Sequence, residues 1–86
     1  MKWKVRIEIM LKENILDPQG KAVKGGLNAL GYKNVADVHV GKYMELIIAD
    51  TDNQEDVNKQ VDEMCQRLLA NPVIEDYTFQ VEKMEG

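Results

Sequence analysis

The chain has 86 residues, a net charge of −4, 44% hydrophobic and 30% charged residues, and a single cysteine. That length implies one domain with a thin core, because a chain this short buries only about 60 to 65% of its unfolded surface. The lone cysteine excludes an internal disulfide, and an acidic whole argues against a general nucleic-acid binder.

The charge is unevenly spread. Residues 1–33 carry +4 and residues 34–86 carry −8. A basic front half suits an acidic partner, unless elements from the two halves interleave and the charges mix. The N-terminus "MKWKVRIEIM" alternates charge with apolar residues and has no continuous apolar run of the kind a signal peptide needs. No stretch reaches the length of a membrane span. A cytoplasmic protein without membrane contact is expected.

"WKVRIEIML" puts Trp3, Val5, Ile7, Ile9 and Leu11 on one face and Lys4, Arg6, Glu8 and Met10 on the other. Period two predicts a half-buried strand. A helix follows, with Asp17 as N-cap, Pro18 in the first turn and Gly31 as C-cap. Val23, Leu27 and Leu30 form its apolar stripe. Ala22, Gly26 and Ala29 form a second stripe with almost no side chain, which something can approach closely.

"LDPQGKAVKGG" is nevertheless an odd helix start, since each interior glycine costs roughly 1 kcal/mol relative to alanine. A phosphate-binding loop is one account of Gly20, Gly25, Gly26, Lys21 and Lys24. However, G-x-x-x-x-G-K-[ST] is not matched, and the Asp17 carboxylate would repel a phosphate. Close contact with another chain is the better account.

"NVADVHVGKYMELIIAD" predicts extended structure, either a hairpin at Gly41-Lys42 or one long strand bent there. The bend is preferred, because it keeps Val38, Val40, Met44, Leu46 and Ile48 on one face. The second helix is capped by Thr51 or Asp52, with Gln54 or Glu55 completing a capping box. Val57, Val61, Met64, Cys65, Leu68 and Leu69 form its stripe, and Asn71-Pro72 stops it. Tyr77, Phe79 and Val81 alternate in a last strand. The tail "EKMEG" is expected to fray. The whole reads as α+β: an antiparallel sheet of three to four strands with two helices on one face, related to the ferredoxin-like sandwich.

Candidate chemistry is sparse. Cys65 lies inside an apolar stripe, so a buried, inert thiol is expected rather than a nucleophile. His39 is the only histidine, and one Cys with one His makes no zinc site. Asp50, Asp52, Glu55 and Asp56 favour the positive end of the second helix and lack the spacing of a calcium loop. An RNA-binding sheet would display aromatic residues where the first strand shows Lys4, Arg6, Glu8 and Met10. A regulatory ligand-binding module of the ACT type is the main rival, because "LDPQG" echoes its first turn.

The run "KVRIEIMLKENILDPQGKAVKGGLNALGY" followed by "VADVHVGKYMEL" resembles the PurS family, the small subunits of phosphoribosylformylglycinamidine synthase. "LDPQGKAV", "LGY", the residues Val40-Gly41-Lys42-Tyr43-x-Glu45-Leu46 and "CQRLLANPVIEDYTFQVE" carry the likeness over nearly the whole chain. The resemblance implies a non-catalytic bridging subunit in purine biosynthesis. A glutaminase subunit would release ammonia at its own cysteine. A large synthetase subunit would use ATP and Mg to phosphorylate the amide oxygen of formylglycinamide ribonucleotide, and ammonia would then displace phosphate. The implied partners are those two subunits and a second copy of the chain, as a homodimer or a dimer of dimers. No cofactor is expected on this chain itself. Candidate interface residues are Asp17, Pro18, Gln19, Gly20, Lys21, Gly26, Gly41 and Lys42.

Overall fold

A computed structural model describes residues 1–85. β1 (Lys2–Leu11), α1 (Pro18–Ala29), β2 (Lys42–Ile48), α2 (Gln54–Met64) and β3 (Glu75–Met84) follow in chain order. A π-helical turn, Cys65–Leu69, extends α2. The three strands form one antiparallel sheet in the order β2-β1-β3. The expected α+β class, antiparallel sheet and two helices are all present.

Register follows from side-chain alternation. Val5 sits between Leu46 and Val81, and Ile7 between Met44 and Phe79, so the apolar rows of all three strands share one face. Trp3, Val5, Ile7 and Ile9 of the central strand are buried there with Val57, Val61, Cys65 and Ala70. The Trp3 indole N–H donates to the Thr51 carbonyl at 2.8 Å, fixing the approach to α2. The Tyr77 hydroxyl donates to Asp62 at 2.6 Å, tying α2 to β3; this bond to a carboxylate raises the Tyr77 pKa.

The opposite face is polar and locally neutral. Lys4 pairs with Glu45 at 3.1 Å and Arg6 with Glu82 at 2.9 Å. Lys12 reaches Asp76 at 2.7 Å. Each pair joins a cation from the basic front half to an acid from the acidic remainder, so folding brings charges of the two halves together on the sheet.

Four local expectations change. Residues 35–41 are neither a hairpin arm nor the first half of a bent strand; β2 begins only at Lys42. The segment is held instead by Asp17, which accepts from the Val40 N–H at 3.0 Å. The cap of α2 is Asn53, not Thr51 or Asp52: its side chain accepts from the Asp56 N–H at 2.9 Å. Leu68 leaves the α2 stripe and is 83% exposed, because a π turn adds a residue per turn and slips the 3.6-residue phase. Of the tail, Glu82, Lys83 and Met84 are not frayed but belong to β3, where Lys83 and Met84 pair with Trp3 and Lys2; Gly86 lies outside the described residues.

α1 differs most. Its cap is as expected, with Asp17 accepting from the Gly20 N–H at 2.8 Å. Its end is a Schellman turn around Leu30 and Gly31: Tyr32 N–H donates to the Leu27 carbonyl, Gly31 N–H to that of Asn28, and Gly31 takes φ +101°. Yet only Gly20 of the helix is buried. Val23 and Leu30 are 46% and 75% exposed. The core of this chain is covered by α2 alone, and α1 stands off the sheet as an arm.

Candidate functional site

The arm is built around one carboxylate. Asp17 Oδ1 caps α1 through Gly20, while Oδ2 holds the Val40 N–H of the returning segment. These two backbone donors, Gly20 first, lower the Asp17 pKa. The helix start and residues 38–40 are thereby clamped together. Gly20 is required at the clamp, since a Cβ there would collide with the Val38 carbonyl oxygen and the Asp17 carboxylate. Gly41 is required for a similar reason: its Cβ would run into Met10 Sδ and the Ile9 carbonyl oxygen. Both glycines permit close backbone approach within the chain.

The remaining candidate residues are placed differently. Pro18, Gln19 and Lys21 are exposed on the first turn of α1. Lys21 borders a shallow hollow with Glu13, Leu16, Asp37 and His39. Gly26 is exposed, with open space where its Cβ would stand. Lys42 opens β2 and pairs with Glu75 at 3.4 Å. The candidates therefore divide into a clamp (Asp17, Gly20), a contact between Gly41 and β1, and an open surface that includes Gly26.

Reasoning from the sequence did not find a groove beside α2. Leu46 of β2 and Gln60, Glu63, Met64, Arg67, Leu68 and Leu69 line a largely apolar hollow of about 370 Å³. It exists because α2 lies toward β3, leaving the β2 side of the apolar face open. The π turn also swings Leu68 to its rim. Nothing in the sequence marks that turn.

Catalytic parts are not assembled. Cys65 is fully buried, and burial, aided by Asp62, raises its thiol pKa. His39 lies on the arm, exposed, with Nε2 3.0 Å from Asp37 Oδ2. Among the described residues no three His, Cys, Asp or Glu side chains cluster as a metal site. No helix among them is long and apolar enough to cross a membrane.

The family model described as PurS, phosphoribosylformylglycinamidine (FGAM) synthase, matches residues 4–83. The chain belongs to the PurS family. It is 51% identical over 82 residues to phosphoribosylformylglycinamidine synthase subunit PurS of Bacillus subtilis, covering 95% of each chain. Methanocaldococcus jannaschii PurS, a subunit of formylglycinamide ribonucleotide amidotransferase in the purine biosynthetic pathway, has a similar structure. There the TM-score is 0.82 at 43% identity, over 96% of this chain and 99% of that one. A chain in the structure of PurLQS from Thermotoga maritima gives a TM-score of 0.84 at 27% identity, over 94% and 98%. Membership makes this chain a PurS subunit of phosphoribosylformylglycinamidine synthase, an enzyme of purine biosynthesis. It displaces the ACT-like alternative, whose echo rested on a turn that Asp17, Pro18 and Gly20 build for capping and clamping.

Proposed function

We propose that the chain is a non-catalytic docking subunit that holds a glutaminase and a large synthetase subunit together in the cytoplasm. The assembly converts formylglycinamide ribonucleotide, glutamine and ATP to formylglycinamidine ribonucleotide, glutamate, ADP and phosphate. ATP and Mg belong to the synthetase subunit, and this chain binds no cofactor. It works as a homodimer. Transfer of ammonia between separate sites sheltered from water makes subunit alignment part of catalysis.

The observation that carries this reading is the unpartnered arm. The Cα radius of gyration is 16.8 Å and the chain extends 51 × 30 × 15 Å, whereas a compact domain of this length has a radius near about 12 Å. An arm held out with its apolar stripe exposed is suited to docking. The only cysteine is buried and the only histidine has no nucleophile beside it, which favours a structural contribution over a chemical one. The Thermotoga maritima relative that superposes on this chain stands in a structure of PurLQS, which supports assembly with larger subunits. Affinity purification of the tagged chain from its own cells tests the reading. The glutaminase and the synthetase should both be recovered in the presence of substrates; recovery of neither would contradict it.

A further inference from the structure

We propose that the polar face of the sheet docks on a partner subunit by receiving one arginine of that subunit between Glu8 and Tyr43. This rests on the docking role proposed above and names a surface for it. Alternation along β1 turns Lys4, Arg6, Glu8 and Met10 away from the core. Lys4, Arg6 and Lys12 are taken by Glu45, Glu82 and Asp76. Among the described residues, Glu8 is the one acid of this face without an ion pair. Lys2, the cation of β1 that is also left over, stands six positions away, about 20 Å along the strand.

The register surrounds the Glu8 carboxylate. Tyr43 of β2 and Thr78 of β3 stand opposite Glu8, and Gln80 stands opposite Arg6. Cross-strand neighbours of this kind have Cβ atoms about 5 Å apart. Together these side chains line a hollow of about 140 Å³. Small-molecule sites run from roughly 300 to 1,000 Å³, so this one suits a single inserted side chain.

Charge and shape name that side chain. Glu8 calls for a cation, and the half-exposed Tyr43 offers an aromatic face beside it. A planar guanidinium meets a carboxylate with two N–H donors and also lies flat on a ring, which a lysine ammonium does not. Thr78 and Gln80 add neutral acceptors at the rim. Arg6 borders the hollow too, but Glu82 at 2.9 Å meets its charge, so no unpaired cation opposes the incoming one. Met10 and Ile47, 40% and 53% exposed, carry apolar area onto the same face. An unpaired charge and an aromatic ring, rimmed by completed ion pairs and apolar side chains, make up an interface anchor. The chain's own arginines are Arg6, already in the wall, and Arg67, which borders the groove on the opposite side of the sheet. The guest therefore comes from another protein.

The test measures binding of the chain to the purified glutaminase and synthetase subunits. Glu8→Gln keeps the side chain's shape and removes its charge, and should weaken binding to one of them at least tenfold. Tyr43→Leu should weaken the same contact, while Tyr43→Phe, which keeps the ring, should bind nearly as wild type does. Arginine hydrochloride should displace that subunit from the wild-type chain at lower concentration than lysine hydrochloride or sodium chloride. This last measurement needs no variant, so it decides the matter even if Glu8→Gln loses its fold. Binding by Glu8→Gln and Tyr43→Leu as tight as wild type would overturn the anchor and leave the docking role standing. So would displacement by arginine no better than by sodium chloride. A Glu8→Gln variant that changes only self-association in sedimentation would give the hollow to a second copy and overturn the proposal. A wild-type chain that binds neither subunit would end both the anchor and the docking role.

Discussion

Asp17, Gly20 and Cys65 show how much a single position decides. The Asp17 carboxylate accepts two backbone N–H bonds, and its folded pKa lies below the unfolded value. A depressed carboxylate pKa contributes stability that is present above the unfolded pKa, about 3.9, and lost as pH falls through the folded pKa. An asparagine in its place would keep one acceptor but turn an amide donor toward the second N–H. Asp17→Asn should therefore lower the urea midpoint at pH 7, and the gap to wild type should close on acidification below about pH 4; a gap independent of pH would contradict the clamp. The two kinds of glycine separate in the same assay. Gly20→Ala should destabilise, since its Cβ meets backbone, while Gly26→Ala, with open space around it, should stabilise the chain by up to about 1 kcal/mol. Cys65→Ala removes a fully buried side chain and should cost on the order of 1 kcal/mol. Glutamine-dependent activity of the reconstituted enzyme should survive it. Complete loss of that activity in a folded variant would make the thiol a participant.

At the scale of elements, periodicity reports faces better than destinations. The rows Trp3, Val5, Ile7, Ile9 and Tyr77, Phe79, Val81 were legible because a strand with one buried face must alternate, and both rows meet the core as expected. The stripe Val23, Leu27, Leu30 was equally legible, but a 3.6-residue period says that a face is covered and not which chain covers it. Val35, Val38 and Val40 read as a strand by spacing, whereas Asp17 fixes that segment through a bond 23 positions away in sequence. The π turn at Cys65–Leu69 was illegible because stripe arguments assume a constant period. The interface candidates divide accordingly: Gly20 and Gly41 have their glycine character explained inside the chain, and Gly26 does not. Gly26→Leu should keep wild-type helicity by circular dichroism and reduce glutamine-dependent synthesis by the reconstituted enzyme. Synthesis from ammonium salts should fall less. Failure to fold would assign that flank to the chain's own core.

For the molecule as a whole, shape follows from what the short sheet cannot bury. One helix suffices for the eight buried apolar residues of the core, and the second is left as an arm. An elongated chain with a buried thiol is poorly suited to catalysis by itself and well suited to bringing other surfaces into line. Reconstitution with the glutaminase and synthetase subunits, with and without this chain, tests that account most directly. Glutamine-dependent formation of formylglycinamidine ribonucleotide should require the chain, while ammonium-supported formation by the synthetase should persist in its absence. Glutamine-dependent turnover at an unchanged rate without the chain would contradict the proposed docking role.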